Sequence, residues 1–195
     1  MPSKTDNAIK KVLIAGEGGQ GVQTIAKILQ MASFLSGQKS LYVPNFGVEQ
    51  RGGVTMAYLQ ISDSEIFYPK FSKADVAVLL SPRSVDRAKE HIDERTTVVI
   101  NSSLISSELI SQSFSADRME KINATDIALN DFSSRVFSAV VLGMIKKYFN
   151  YPENILARAM EKELGSKFSS DDDLKKENLR ALHVNINAKH ETYNK

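Results

Sequence analysis

Two glycine-rich segments place the tightest constraint on the fold of this chain of 195 residues. The first, at 16–21, reads Gly-Glu-Gly-Gly-Gln-Gly, and the second, at 47–53, reads Gly-Val-Glu-Gln-Arg-Gly-Gly. Glycine allows the backbone to adopt positive φ and to approach other groups closely, so each segment marks a tight loop. Each also lies where a strand is expected to meet a turn. We therefore expect two loops that converge at one end of an α/β sheet.

The residues around the first segment predict a strand, a loop and a helix in that order. Val12–Ala15 is a short apolar run that ends at Gly16, as is typical of a buried parallel strand. Apolar residues then recur at helical spacing over 22–36, and Gly37 is a natural helix stop.

The remainder of the chain predicts further strands and a helical end. Strands are expected at 40–43 (stopped by Pro44), 54–61 (covered on both faces), 65–68, 75–80, 97–100 and 121–124. Helices are expected at 82–91 (opened by Ser81 and Pro82), 134–149, 154–164 (ended by Gly165) and from a cap at Ser170 into the tail. The pattern predicts an α/β fold with a Rossmann-like, mostly parallel sheet flanked by helices and with extra C-terminal helices. We expect a flexible tail at 1–9 and a single domain at 10–195.

Composition excludes several classes of function. A net charge of +2 without a basic, aromatic-containing run does not indicate nucleic-acid binding. No apolar run approaches the roughly 18 residues of a membrane helix, and the first residues lack the apolar region of a signal peptide, so we expect a cytoplasmic protein. With no cysteine, the chain cannot ligate an iron–sulfur cluster or use a cysteine nucleophile. The three histidines are far apart, and we expect them at the surface or at helix ends.

The first loop has the context of a dinucleotide-binding fingerprint, Gly-x-Gly-x-x-Gly between a strand and a helix. Two features weigh against that site: no acid follows the second predicted strand, and Glu17 places a negative charge in the loop. Val22-Gln23 also replaces the Lys-Ser/Thr of a Walker motif. Three interpretations remain: a structural turn or non-phosphate site, a site for a phosphate or nucleotide moiety other than NAD, or a conventional dinucleotide site.

The second loop carries an acid and a base, Glu49 and Arg51, between glycines. Arginine can hold a carboxylate or phosphate through two hydrogen bonds. The alternative is an exposed ion pair within the loop, which contributes about 0–1 kcal/mol.

Both loops, in this order and at this separation, resemble the gamma subunit or gamma domain of the 2-oxoacid:ferredoxin (acceptor) oxidoreductases. The similar segments are 16–22, 44–53, Tyr68-Pro69, 75–80, 141–143 and 177–181, within a resemblance that spans roughly 10–185. One departure is Ser138, which takes the place of an asparagine found in many members.

The resemblance implies a subunit of an enzyme that converts a 2-oxoacid and coenzyme A (CoA) to acyl-CoA and CO2, with ferredoxin or a similar acceptor reduced. It implies that thiamine diphosphate, Mg and the iron–sulfur clusters lie on alpha, beta and, in many members, delta partner subunits, because this chain has neither a Gly-Asp-Gly segment nor a cysteine. The chain would not be active alone. The glycine loops would line a subunit interface and the approach of CoA; the residues implied are Gly18, Gly19, Gln20, Gly21, Glu49, Arg51 and Gly52.

Other functions remain open at this stage. The chain could be a free-standing nucleotide- or CoA-binding module, the beta subunit of an indolepyruvate oxidoreductase, or an NAD-dependent dehydrogenase. The missing ribose-binding acid counts against the dehydrogenase. The Pro-Asn-Phe-Gly-x-Glu entry to the second loop favours the pyruvate, 2-oxoglutarate or ketoisovalerate branches of the family without selecting one.

Overall fold

A computed structural model describes residues 9–47 and 53–184, which form a six-stranded sheet between helices. The strands are β1 (Lys10–Glu17), β2 (Lys39–Phe46), β3 (Val54–Ser62), β4 (Val76–Leu79), β5 (Thr97–Asn101) and β6 (Arg118–Ile122). The helices are α1 (Val22–Leu35), α2 (Pro82–Ala88), α3 (Ser107–Ser113), α4 (Ala124–Asp131), α5 (Phe137–Ile145), α6 (Glu153–Phe168) and α7 (Asp172–Ala181). The expectation that residues 1–9 form a tail falls almost wholly outside the described residues, and the single domain at 10–195 stays a prediction.

The sheet has the strand order β2-β3-β1-β4-β5-β6. β1, β4, β5 and β6 pair in parallel, whereas β3 is antiparallel to both β1 and β2. Five of the six strands therefore point the same way. This confirms the predicted mostly parallel α/β sheet.

The two faces of the sheet are covered by different helices. Alternate residues of a strand point to opposite faces, so Val12 and Ile14 of β1 pack in the cluster that contains α1 and the helices α4–α7. Leu13 and Ala15 pack in the cluster that contains α2 and α3. Since α1 follows β1 to one face and α2 follows β4 to the other, the boundary between β1 and β4 is a topological switch point.

Two strand predictions were wrong, and a third, 121–124, was displaced: β6 spans Arg118–Ile122, and Ala124 already begins α4. β2 does not stop at Pro44 but runs through it to Phe46. β2 is an edge strand, so a proline that lacks an N–H can point its backbone nitrogen away from the sheet without losing a ladder hydrogen bond. Residues 65–68 do not form a strand; instead the buried Gln60 side chain donates to the Tyr68 carbonyl at 2.6 Å and holds this segment against β3.

The helices at the end of the chain differ from the sequence pattern in detail. α3 and α4 were missed because their apolar periodicity is weak. α6 continues past Gly165 to Phe168. α7 is capped by Asp171 rather than Ser170, because Asp171 Oδ1 accepts a hydrogen bond from the Leu174 amide at 2.8 Å.

Candidate functional site: the loop edge

The two glycine loops meet at one edge of the sheet, which we call the loop edge: the end where β1, β4 and β5 finish and β3 begins. Glu17, the last residue of β1, pairs with Val54, the first of β3. The Gly18 amide donates to the Gly53 carbonyl at 3.1 Å, and the Gly47 amide donates to the Val54 carbonyl at 3.0 Å. The stem of the second loop is thus bonded directly to the first loop. This confirms the predicted convergence.

Gln20 closes the first loop onto the sheet. Its side-chain Oε1 accepts from the Glu17 amide at 2.7 Å, and its Nε2 donates to the Leu80 carbonyl at 3.1 Å. Its own amide donates to the Glu17 carbonyl at 3.1 Å. Gln20 therefore holds the loop in shape, and its backbone N–H and both polar atoms of its side chain are each engaged in a hydrogen bond.

The amides that remain available belong to two glycines. Gly18 already donates to Gly53, whereas Gly19 and Gly21 have no hydrogen-bond acceptor for their N–H groups among the described residues. Of the four residues implied for this loop, Gly19 and Gly21 therefore keep an unbonded amide N–H within the described part of the chain, and the ligand contacts of all four stay a prediction.

Gly21 forms the junction between the first loop and α1. It has φ of +69° and is the N-cap residue of α1. A Cβ built on Gly21 would lie 2.0 Å from Ser138 Oγ, so α5 packs directly against this junction. Ser138, the residue that departs from the family pattern, is therefore part of the loop edge.

The N-terminus of α1 is open to an anion. It has no side-chain cap and no acidic residue in its first turn. The N–H groups of a first helical turn have no intrahelical acceptor and carry a partial positive charge. Glu17, whose charge was expected to repel a phosphate, lies 3.8 Å (Oε1) from Arg83 Nε at the start of α2. This pairing reduces the repulsion.

A polar network missed from the sequence joins α1 to β2 and β3, the two strands that flank the second loop. Gln23 Nε2, in the first turn of α1, donates to Thr55 Oγ1 at 2.6 Å and to the Met56 carbonyl at 3.1 Å. Gln23 Oε1 accepts from the Tyr42 hydroxyl at 2.6 Å. Burial, with a smaller contribution from Glu163, raises the pKa of Tyr42, so the phenol stays a donor. The only sequence signal was a glutamine beside an apolar helix face.

The ends of β4 and β5 are joined beneath the loops. Buried Asn101 donates through Nδ2 to the Leu80 carbonyl at 3.2 Å and to Thr125 Oγ1 at 2.8 Å. The Leu80 carbonyl thus accepts from both Asn101 and Gln20. Beside it, the buried Ser81 Oγ has no hydrogen-bond partner within the described part of the chain.

The topology disfavours a conventional dinucleotide site. In a doubly wound fold, the strand next to β1 on the α1 side is parallel, and an acid at its carboxyl end binds the ribose. Here that position belongs to β3, which runs the other way and begins at the loop edge. The stem of the second loop therefore occupies the place where the ribose acid would lie.

Three of the implied site residues, Glu49, Arg51 and Gly52, lie outside the described residues.

Across 9–47 and 53–184, no group of three or more His, Asp or Glu side chains could hold a metal ion. Over the same ranges, no helix has both the length and the apolar character needed to cross a membrane.

Comparison with known proteins gives the family. The family model described as pyruvate ferredoxin/flavodoxin oxidoreductase matches residues 11–187. The chain is 30% identical to 2-oxoglutarate synthase subunit KorC of Methanocaldococcus jannaschii over 158 residues, 80% of this chain and 81% of the relative. It is 31% identical to the pyruvate/ketoisovalerate oxidoreductases common subunit gamma of Thermococcus litoralis, over 68% of this chain and 74% of the relative.

A solved structure shows the same fold. The 2-oxoglutarate:ferredoxin oxidoreductase of Magnetococcus marinus, determined with 2-oxoglutarate, coenzyme A and succinyl-CoA bound, superposes with a TM-score of 0.75 at 22% identity. The match covers 89% of this chain and 30% of that one.

The family model and the two curated relatives favour the oxidoreductase subunit over the free-standing binding module. The chain therefore belongs to the pyruvate ferredoxin/flavodoxin oxidoreductase family, as a gamma-type subunit of a 2-oxoacid:ferredoxin oxidoreductase.

Proposed function

We propose that the chain is the non-redox subunit of an enzyme that converts a 2-oxoacid and CoA to acyl-CoA and CO2, and that its loop edge shapes a subunit interface and the approach of CoA. The observation that supports this role is the direct bonding of the two glycine loops at the switch point, Gly18 to Gly53 at 3.1 Å. Ligands of open α/β sheets bind in the crevice at such a point.

The residues of the loop edge suit a polar, phosphate-bearing ligand. Gly19 and Gly21 offer amide N–H groups without side chains that would block the approach, and the uncapped start of α1 adds further N–H groups. In the second loop, Glu49 and Arg51, with Gly52 beside them, are proposed to order the interface or to bind polar parts of CoA. An arginine there would supply a pair of hydrogen bonds to a phosphate of CoA.

We propose that the redox centres lie on partner chains. An iron–sulfur cluster requires cysteine ligands, and this chain has none among its 195 residues. In this proposal thiamine diphosphate, Mg and the clusters belong to alpha, beta and delta-type subunits in the cytoplasm, and ferredoxin or a similar carrier accepts the electrons.

Co-purification tests the subunit role. Tagged chain is recovered from extract of its source cells, and the proteins that accompany it are identified by mass spectrometry. We expect a thiamine-diphosphate-binding subunit and a cysteine-rich ferredoxin-like subunit. The complex is then assayed with CoA and with pyruvate, 2-oxoglutarate and 2-oxoisovalerate in turn. Recovery of the chain alone, as a monodisperse species that binds CoA unaided, would favour the binding module instead.

A substitution in the second loop tests the role of Arg51. We expect Arg51→Ala to raise the KM for CoA about tenfold, as for loss of one charge-assisted hydrogen bond, with the KM for the 2-oxoacid unchanged. Arg95→Ala is the matched control, because the Arg95 side chain is 93% exposed and pairs only loosely with Asp93 at 3.7 Å. If Arg51→Ala alters neither assembly nor the KM for CoA, the role assigned to Arg51 is lost.

A further inference from the structure

A cavity of about 310 Å³ lies at the end of the sheet opposite the loop edge, on the face that α1 covers. Here β1 begins at Lys10 and β3 ends at Ser62, and the chain that follows α5 lines the cavity at 149–151. Most of the residues that line it are polar. The volume is at the lower end of the range of small-molecule sites.

Lys10 brings an ammonium group to this cavity. Its Nζ donates to the Tyr148 carbonyl and lies 5.5 Å from the centre of the Phe149 ring, which leaves two of its three N–H groups for a ligand. Burial lowers the pKa of Lys10, and the charge of Asp75 partly opposes this effect. Asp75 does not line the cavity, and its carboxylate accepts from the Lys11 amide at 2.7 Å. An anion bound in the cavity would therefore stabilise the charged form of Lys10.

Asp63 brings a carboxylate to the same cavity, held in place by a chain of hydrogen bonds. Gln38 Nε2 donates to Asp63 Oδ1 at 2.9 Å, and Gln38 Oε1 accepts from the Tyr151 hydroxyl at 3.0 Å. That hydroxyl also lies 2.7 Å from Ser33 Oγ in α1. Burial raises the pKa of Tyr151, which keeps the phenol uncharged. Asp63 Oδ2 accepts no hydrogen bond from a described residue, so it is available to a cation.

The two charges line one cavity without pairing with each other or with another described residue. A cation alone would suit an anionic ligand, and a direct ion pair would leave neither charge for a ligand. Two separated, opposite charges instead complement a ligand that carries both. Beside them the Phe149 and Tyr151 rings are parallel, with 3° between their planes and 6.2 Å between their centroids, and form a flat wall.

We propose that this cavity binds a free α-amino acid, with its carboxylate on Lys10, its ammonium group on Asp63 and its side chain beside the aromatic wall. An α-amino acid carries an ammonium group where the corresponding 2-oxoacid carries an oxo oxygen. Asp63 would therefore select the amino acid, because a carboxylate attracts the ammonium group and repels a ligand that has only a negative charge. The inference does not depend on the proposed function, since this cavity and the loop edge lie at opposite ends of the sheet.

Thermal shift with each of the standard L-amino acids identifies the best ligand, and calorimetry on the full chain measures its affinity. We expect Lys10→Gln and Asp63→Asn each to weaken binding about tenfold, as for loss of one charge-assisted hydrogen bond. Lys10→Arg keeps the charge and should retain binding. Lys176→Gln and Asp173→Asn are the matched controls, because these side chains are 75% and 95% exposed in α7, outside the cavity. Circular dichroism confirms that the variants fold.

The chemistry of the ligand gives a second test. The 2-oxoacid with the same side chain lacks the ammonium group, and the corresponding amine lacks the carboxylate, so each should bind at least about tenfold more weakly than the amino acid. Asp63→Asn should remove the preference for the amino acid over its 2-oxoacid, which a merely destabilised protein would keep.

Three results would overturn the proposal. If no amino acid binds the unmodified chain, or if Asp63→Asn and Lys10→Gln bind it equally well, the cavity is not the site. A 2-oxoacid that binds as tightly as the amino acid would remove the ammonium group, and with it Asp63, from recognition. An amine that binds as tightly would do the same for the carboxylate and Lys10.

Discussion

At the scale of single residues, Gly19 and Gly21 face different constraints within the same loop. Both have positive φ, +97° and +69°, but only Gly21 is crowded: a Cβ there would lie 2.0 Å from Ser138 Oγ, whereas a Cβ on Gly19 would meet nothing within 4 Å. Position 19 thus requires glycine only because of its positive φ. Position 21 requires glycine because of its positive φ and because Ser138 of α5 packs against it.

This difference predicts unequal effects of two alanine substitutions. Gly19→Ala should lower the free energy of unfolding by about 1–2 kcal/mol, the cost of a left-handed backbone for an L-residue. Gly21→Ala should lower it further, and Ser138→Gly in the same chain should restore part of the loss. Urea unfolding measures all three. Equal losses for the two single variants would show that the Ser138 side chain simply moves aside.

Gln20 gives a second residue-scale prediction. Gln20→Ala removes an acceptor from the Glu17 amide and a donor to the Leu80 carbonyl, so we expect a loss of about 1–3 kcal/mol in the free energy of unfolding. Hydrogen exchange should also become faster at Glu17. Gln30→Ala, whose side chain makes no hydrogen bond among the described residues, is the control. A stability equal to that of Gln30→Ala would contradict the role of Gln20 as the closure of the loop.

At the scale of secondary-structure elements, the C-terminal end of α7 packs against α5 at Gly143. A Cβ on Gly143 would lie 2.6 Å from the Ala181 carbonyl and 3.0 Å from the Leu182 carbonyl. These are backbone atoms, which cannot rotate away as a side chain can. Gly165 in α6 offers a matched position in a helix, because a Cβ there would have open space.

We therefore predict opposite signs for two glycine-to-alanine changes in helices. Gly143→Ala should destabilise the protein by about 1–3 kcal/mol through overpacking. Gly165→Ala should stabilise it by about 0.5–1 kcal/mol, because alanine loses less backbone entropy than glycine in a helix. Thermal and urea unfolding decide the signs. A neutral Gly143→Ala would mean that α7 can shift without cost.

The start of α7 should give the protein a pH-dependent contribution to stability. The hydrogen bond from the Leu174 amide, followed by that from Arg135, holds the pKa of Asp171 below its usual value. A carboxyl with a lowered pKa in the folded state stabilises that state above its unfolded pKa, about 3.9, and this contribution is lost as the pH falls through the folded pKa.

Asp171→Asn tests this effect, because asparagine keeps a cap acceptor without the charge. We expect the variant to be less stable than the original protein at pH 7, and the difference in melting temperature to shrink below about pH 4. A difference that stays constant from pH 7 to pH 3 would exclude the charge of Asp171 as the cause.

At the scale of the whole molecule, large aromatic side chains are exposed at separate places. Phe46, at the end of β2 beside the second loop, is 68% exposed, and Phe34, at the far end of α1, is 71% exposed. Exposed apolar surface is a common mark of a protein interface. The proposed interface at the loop edge should cover Phe46 and leave Phe34 in solvent.

Phe46→Ser should therefore reduce the amount of partner subunit that co-purifies with the chain, whereas Phe34→Ser should not. Both side chains are exposed, so neither change should alter the melting temperature of the isolated chain by much. Hydrogen exchange should show protection at residues 44–47 upon assembly. Equal recovery of partners by the two variants would place the interface elsewhere.

Local patterns in the sequence determined the elements that depend on neighbouring residues alone. The apolar run Val12–Ala15, the helical spacing after Val22 and the Ser81-Pro82 helix start all predict the structure correctly. Each of these signals is a property of a few consecutive residues: burial on both faces, a 3.6-residue period, or a fixed φ at the first helical position. The two glycine loops likewise indicated the family, because each is a motif of a few consecutive residues.

Only the tertiary structure decided which residues meet across the chain. Pro44 fits within a strand because β2 is at the sheet edge, Gln23 holds the hairpin because Tyr42 and Thr55 face it, and Gly21 must be glycine because Ser138 packs against it. The contacting side chains are separated by 19 residues or more along the chain, so their contact depends on how the strands and helices pack. The order of the strands also placed β3 beside β1, and thereby replaced a ribose-binding position with the stem of the second loop.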